Sequence, residues 1–455
     1  MKKLMALAVT LLPIVVIPAR TGIAGETIAD EDEDDATLYM LQLNGAENVS
    51  STASIRVKIF PHERDYLPHG KDEVLDQFTI RSEIPCTIFK ASKNQIAPAG
   101  VLQKDQLLIT MKAQELQQPV IIDCPEQFTL ERNFDDKMKA LSYSGLLYVH
   151  TVQKQEQLML EAVNVVSLRG YLRGVVPSEV FHHWPMETLK SQAVAARTYA
   201  VFHILRARRY APTRFWDVDD TVMYQAYTGV THRKEKTDEA VFATEGQILM
   251  YQGQVIQAFY HADSGGATEE ANTIWDQPAP FTVARPEASD LEMNGMLWER
   301  TFSLTELTQK MAELGFWTKE RPIKRVVVPM VGQTNSGRVK AVTMIDAKGE
   351  YVIIPTRTFK RVVGTLPSNL FVVDPAENGQ ILIKGVGFGH GVGMSQQGAA
   401  ALAERKSWNY RQILDYYYVH TSICSIDTQR QRERIPDCGR EAMKYMKQVA
   451  QHPLR

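Results

Sequence analysis

The chain has 455 residues, room for two or three domains, and its 44% hydrophobic and 23% charged residues are the balance of a soluble globular protein. A formal charge of −2 excludes a protein built overall to bind polyanions such as nucleic acid, and leaves only a local basic groove open. Four cysteines, Cys86, Cys124, Cys424 and Cys438, fit an oxidising compartment; none shows the CxxC spacing of a cysteine-rich zinc site.

Residues 1–24 read as an export signal: Lys2 and Lys3, an apolar run, then the small residues Gly22 and Ala24. An uncleaved anchor is the alternative. An unbroken acidic run, DEDEDD at 30–35, makes residues 25–37 a self-repelling, solvated spacer. From 38 to 160 the pattern is that of strands, with alternation at 55–59, 78–80 and 86–89 and β-forming runs at 107–109 and 120–122. Segments 145–150 and 157–166 read as a strand pair. This region carries no catalytic spacing and is expected to be a β-rich platform. Of the three possible cysteine pairings, 86–124 and 424–438 are the simplest.

The centre of the chain runs from 165 to 206. An apolar run is expected to turn at Gly174 and Pro177, present Ser178 and Glu179, and feed a helix starting at Trp184 and Pro185. Leu189, Ala193, Ala196, Ala200 and Ile204 recur at spacings of three and four, and the alanines keep that face thin enough for close packing. Glu179, in a turn before a rigid helix with Lys190 and Arg197 nearby in sequence, is a candidate acid or base. The bland alternative is a glutamate that only favours a helix start.

Beyond it, a helix is expected at 236–244 and strands at 247–251 and 255–260. The second strand leads into His261, Asp263, Ser264 and the paired glycines 265 and 266, where the backbone can approach a ligand. A helix at 303–317 and strands at 325–331, 337–345 and 351–354 follow. The glycine-rich stretch 385–398 carries His390, Ser395 and Gln396 and opens a helix at 399–404; a last helix at 410–418 ends in Tyr416, Tyr417 and Tyr418. The glycines do not make a dinucleotide site, which needs a parallel βαβ unit and an acidic residue about twenty positions on. Neither Ser264 nor Ser395 lies in G-x-S-x-G, which argues against a serine hydrolase. His261 and His390 alone are a thin metal-ligand set.

The stretches YLRGVVPSEV (171–180), WPMETLKSQAVAARTYA (184–200), FYHADSGGATE (259–269) and GFGHGVGMSQQGA (387–399), with the tyrosines 416–418, resemble the stage II sporulation protein D family, which includes proteins described as amidase enhancers. SGRVKAV (336–342) is a weaker match. The resemblance implies an α+β fold, a β-rich region at 38–160, a catalytic domain at 161–420 and a tail at 421–455. It also implies a cell-wall lytic transglycosylase that prefers peptide-stripped glycan strands. Glu179 falls on the family's catalytic glutamate and His261 on a histidine close to the active site. Lys190 and Arg197 fall on basic positions near the glycan groove. Ser264, His390, Ser395, Gln396 and Tyr417 lie in the remaining motifs and are expected to contact substrate. Some relatives place cysteines after the histidine and bind zinc; here Asp263-Ser264-Gly265-Gly266 follows, so neither metal nor cofactor is expected. The family's usual tyrosine after Ser-Gln is Gln397. The implied partners are peptidoglycan glycan strands and an N-acetylmuramoyl-L-alanine amidase, on the periplasmic or wall side of the membrane. The rival reading is a non-catalytic glycan-binding scaffold that activates that amidase.

Overall fold

The computed structural model describes residues 54–59, 77–92, 95–102, 109–134, 137–154, 157–211, 213–275, 278–287, 295–329, 332–364 and 366–426. The expected signal at 1–24, the spacer at 25–37 and the tail from 427 onward lie outside the described residues. Eight strands come first: β1 Ser54–Ile59, β2 Gln77–Arg81, β3 Cys86–Ser92, β4 Gln95–Leu102, β5 Ile109–Lys112, β6 Val120–Phe134, β7 Lys137–Lys154 and β8 Gln157–Ser167. With β9, Val218–Asp219, they form one sheet in the order β4-β3-β6-β7-β8-β1-β9, with β2 and β5 joined through β6. A Cys86–Cys124 disulfide ties β3 to β6, and Cys424 is also disulfide-bonded.

The alternation in β1 sends Ile55, Val57 and Ile59 into the core, all fully buried. Arg56, on the other face, is buried as well, because it meets an acid: its Nη2 lies 2.8 Å from Oδ1 of Asp217, which Arg208 also approaches at 3.4 Å. Burial pushes the Asp217 carboxyl up, but the two guanidinium groups outweigh it and hold the pKa at about 2. A carboxyl depressed on folding adds stability above its unfolded value near 4, and this is lost as pH falls towards 2; the loss is about 2 kcal/mol. Asp217→Ala leaves Arg56 buried without its partner and is expected to destabilise by about 3–5 kcal/mol at pH 7. Urea unfolding at pH 7 and pH 3 checks both statements, since the gap between variant and native protein should narrow at the lower pH.

The helices α1 Leu168–Glu179, α2 Met186–Tyr210 and α3 Glu235–Ala243 pack beside this sheet. The N-cap of α1 is Ser167, whose hydroxyl accepts from Gly170 N. Next come β10 Gln247–Tyr251, β11 Gln254–Val255, β12 Tyr260–His261 and the short α4 Ala271–Trp275. One core joins Ile55, Phe128 and Tyr143 of the sheet to Tyr171 of α1 and to Leu189, Ala196 and Ile204 of α2. The β-rich platform is therefore not a body of its own. The expected boundary between 160 and 161 falls inside β8, and sheet and helices share one interior.

The expected single domain over 161–420 is likewise divided. Strands β13 Leu297–Ser303, β14 Ile323–Val327, β15 Ala341–Asp346, β16 Tyr351–Pro355, β17 Phe371–Glu377 and β18 Gln380–Val386, with helices α5 Leu304–Glu313 and α6 Thr356–Val363, make an inserted lobe. It has two three-stranded sheets, β13-β18-β17 and β14-β15-β16. Its core, from Trp298 and Met311 through Phe359 to Ile383, is separate from the first. After the lobe the chain returns with β19 Met394–Ser395, α7 Gln396–Lys406, α8 Tyr410–Tyr417 and β20 Ser422–Ser425. β19 pairs in parallel with β12, and β20 pairs with β10. Among the described residues no helix is long and apolar enough to cross a membrane.

Candidate functional site

Glu179 is the last residue of α1, not a turn residue. The expected turn at Gly174 and Pro177 is helical for physical reasons. Pro177 sits near the helix end, where only one internal hydrogen bond is forfeited, and the Ser178 hydroxyl donates to Gly174 O at 2.8 Å. Gly174 is needed for closeness: a Cβ there would lie 2.4 Å from Gly229 O and 2.7 Å from the Tyr227 ring. Gly229 in turn adopts φ +60°, and a Cβ on it would meet Ser142 O at 2.1 Å. The two glycines let the 220–230 loop lie flat between α1 and β7, and that loop carries Ala226, whose N–H donates to Glu179 Oε1 at 2.7 Å. Gly174→Ala is expected to lift the loop and weaken that bond. A fall in melting temperature of several degrees, together with a shifted titration of Glu179, would be the signature.

Two further groups donate to the same carboxyl, the Tyr260 hydroxyl and the Gln396 side chain. Tyr260 is brought by β12, and Gln396 by the start of α7, next to the paired β19. Burial pushes Glu179 up to about 7, even though all three donors favour its ionised form. Its position at the negative end of a helix acts in the same direction as burial. The residue as a whole is partly exposed, while its carboxyl is largely buried. Exposed apolar side chains flank it in sequence on both contributing segments: Phe181 (57% exposed) just beyond it, and Val222 (84%) and Met223 (56%) just before Ala226.

His261 is not the residue that meets Glu179. Successive strand residues face opposite ways, and it is Tyr260 that turns to the carboxyl. His261 Nδ1 lies 3.1 Å from Val392 O, a pure acceptor, so Nδ1 carries the proton and the buried Nε2 is a bare lone pair without a hydrogen-bond partner among the described residues. Burial, then His390 and Arg338, hold His261 well below the usual histidine range. His390 is 5.6 Å away between ring centroids, accepts from Val392 N at Nδ1, and packs its ring 4.8 Å from Trp275.

The expected basic groove residues are elsewhere. Arg197 is 3% exposed, and its guanidinium donates to Val241 O at 3.1 Å and Gln247 O at 3.2 Å, tying α2 to α3 and β10. The sequence places it in the helix that follows Glu179, but its side chain carries the charge inward. Lys190 pairs with Glu187 at 2.8 Å, and Glu187 also accepts from Tyr410 N. Ser264 accepts from Gly266 N inside its own turn, and Ser395 is the N-cap of α7, accepting from Gly398 N at 3.1 Å. Tyr417 is buried in the core under α7 and α8. Of the eight residues singled out in the sequence besides Glu179, Gln396 alone is among the side chains bonded to it. The network also holds residues the sequence did not mark: Tyr260, Gln225 and Tyr171. Tyr260 and Tyr171 stand inside the quoted motif stretches; Gln225 carries no signal of spacing or composition. Among the described residues no group of three or more His, Cys, Asp or Glu is placed to hold a metal ion.

A central helix beside a sheet-shared core is thus approached by one carboxyl, Glu179, which burial raises and three donors surround. A family model described as "Stage II sporulation protein" matches residues 156–251, covering β8, α1, α2, α3 and β10, and a second, a domain of unknown function, matches residues 287–393, the inserted lobe. The chain is 34% identical over 260 residues to an "Uncharacterized protein" of Brachyspira hyodysenteriae, covering 56% of this chain and 66% of that one. It is 29% identical over 298 residues to the "Amidase enhancer" of Bacillus subtilis, covering 56% of this chain and 40% of the relative. To the "Stage II sporulation protein D" of Bacillus amyloliquefaciens it is 30% identical over 284 residues, 59% of this chain and 77% of that protein. The chain belongs to the stage II sporulation protein D family.

Proposed function

We propose that this is an exported cell-wall protein that cleaves peptidoglycan glycan strands as a lytic transglycosylase, with Glu179 as both acid and base. The observation that carries the reading is a buried carboxyl, pushed up to about 7 by that burial, whose partners among the described residues are donors (Ala226 N–H, Tyr260, Gln396) and not a second carboxylate. An ordinary glycosidase needs two carboxylates flanking the bond; a muramic sugar that attacks itself needs one. Protonated Glu179 gives its proton to the glycosidic oxygen as the C1–O bond breaks. The resulting carboxylate then takes the proton of the muramic 6-hydroxyl, whose oxygen closes on C1 to leave an anhydro end and restore the acid. A group that titrates near neutrality is suited to both steps. Phe181, Val222 and Met223, exposed on the segments that carry Glu179 and Ala226, offer apolar surface of the kind a sugar face packs against. Arg197, enclosed as it is, has no part in binding the lactyl carboxylate in this reading.

The second reading, a scaffold that stimulates an amidase, is favoured by the name of the Bacillus subtilis relative. Mass spectrometry of peptide-free glycan strands digested by the protein separates the two. Anhydromuramic ends support cleavage; intact strands retained in a pull-down, with faster amidase turnover on addition of the protein, support the scaffold. Reducing ends would instead point to hydrolysis by water and a second, unassigned carboxylate.

A further inference from the structure

Glu179 is the end of a longer chain of hydrogen bonds. Gln225, 1% exposed, lies in the same loop as Ala226. Its Nε2 is 3.2 Å from Ala196 O and 2.9 Å from the Tyr260 hydroxyl, while its Oε1 is 3.1 Å from the hydroxyl of Tyr171, which is fully buried. A backbone carbonyl only accepts, so Ala196 fixes which end of the amide is nitrogen. Oε1 only accepts, so Tyr171 is its donor. The second hydrogen of Nε2 then points at the oxygen of Tyr260, leaving that hydroxyl one proton to give, and Glu179 is there to receive it. The whole series runs one way: Tyr171 to Gln225, Gln225 to Tyr260, Tyr260 to Glu179.

We propose that Gln225 is a positioning residue for the proton transfer: by filling an acceptor direction of the Tyr260 hydroxyl it commits that hydroxyl to donate, and so keeps the acid proton of Glu179 on the carboxyl's open side. The inference rests on the reading of Glu179 as acid and base. A tyrosine hydroxyl can donate or accept with equal ease. Freed of Gln225, Tyr260 can rotate and accept the proton of protonated Glu179, turning it inward and away from any glycosidic oxygen. A carboxyl has about four lone-pair directions; the Ala226 N–H, Tyr260 and Gln396 take three, and the fourth is where a useful proton must sit. Because the Gln225 amide is oriented by a backbone carbonyl of α2, which can only accept, the series needs no water to hold its sense.

The test follows the Glu179 carboxyl itself. In protein labelled with carboxyl-¹³C glutamate, the Glu179 resonance is identified by its loss in Glu179→Gln, and its titration is followed in native protein and in Gln225→Met, Tyr260→Phe and the double variant. Losing a committed donor disfavours the ionised form, so the single variants should each titrate about one pH unit above the native value of about 7. The double variant should move no further than either, because Gln225 acts only through Tyr260. Anhydro-end production should fall about tenfold in each, again without addition in the double variant. A Gln225 that merely supports the fold would leave the titration in place or add its loss to that of Tyr260→Phe, and either result overturns the proposal. If Gln225→Met does not fold, Tyr171→Phe removes only the far hydroxyl and should shift Glu179 upward by a smaller amount; an unmoved titration there overturns it equally. The two levels separate cleanly: no anhydro ends from native protein, with the shared shift intact, sinks glycan cleavage and leaves the relay. Anhydro ends with an additive or absent shift sink the relay alone.

Discussion

Glu179→Gln is expected to abolish anhydro-end formation, by on the order of 10³-fold, while making the protein more stable at pH 8. The two effects have one cause. Burial lifts the carboxyl to about 7 from an unfolded value near 4.5, so between those two pH values the folded state binds more protons than the unfolded one, and stability falls as pH rises through the window. Above pH 7 the full loss, about 3 kcal/mol, is carried by the native protein and absent from the neutral amide. Part of this gain is returned, because an amide has one acceptor oxygen facing three donors, so a net gain of about 1–2 kcal/mol is the expected figure. Thermal unfolding at pH 5 and pH 8 measures it, and the stabilisation should appear only at the higher pH. A variant that is inactive and less stable at pH 8 would mean that Glu179 is a structural carboxylate. The native rate carries a second signature: with one group serving in both steps, the profile should hold level on the acid side and decline above about pH 7, and an acid limb near pH 4 would reveal a second catalytic carboxylate.

How far the sequence could be read follows from what each feature depends on. Strand β8, α2 and the helix at the lobe's start are set by local period and stand close to where the residues place them, while β6 and β7 run well beyond the expected 120–122 and 145–150. Gly174 and Pro177 look like turn residues, and their meaning changes only because Gly229 and Tyr227, more than fifty positions on, occupy the space that a side chain at 174 would need. Arg197 and Lys190 are expected as groove cations because the resemblance puts them on the family's basic positions. The Arg197 side chain instead meets carbonyls of Val241 and Gln247, contacts that no spacing announces, while Lys190 pairs with Glu187 three residues back on the same helix. Tyr260 and His261 are adjacent letters, and the imidazole is the more conspicuous chemistry. Strand geometry decides between them and gives the carboxyl to the phenol. The separate core of the inserted lobe is equally invisible, because it depends on which strands pair across long sequence distances, and local pattern does not carry that.

Arg338→Ala is expected to destabilise the protein by about 3–5 kcal/mol and to impair the site without touching it. Arg338 stands between β14 and β15 of the inserted lobe, 1% exposed, and reaches out of the lobe. Its Nη1 donates to Ala267 O and to the Ser336 hydroxyl, both at 2.8 Å, and its Nη2 to Ser264 O at 2.7 Å. The charge is offset by Glu269, Glu287 and Asp263 around it, although burial lowers its pKa. The glycine loop closes over the guanidinium: Gly391 has φ +82°, and a Cβ there would lie 2.1 Å from Nη2. One side chain thus fastens the lobe, the turn after β12 and the loop before β19, and β12 is the strand that delivers Tyr260 to Glu179. Removing it leaves carbonyls and carboxylates facing an empty, enclosed space. Arg338→Lys keeps the charge but not the planar fork, and a single ammonium cannot reproduce three directed bonds spread over two nitrogens, so it should recover less than half of the lost stability. Urea unfolding of the two variants measures this. The Glu179 titration should move in both, since Tyr260 is displaced whenever the turn loosens. If Arg338→Ala unfolds like native protein, the lobe is held by its apolar contacts alone, and the loop reaches its place without the guanidinium.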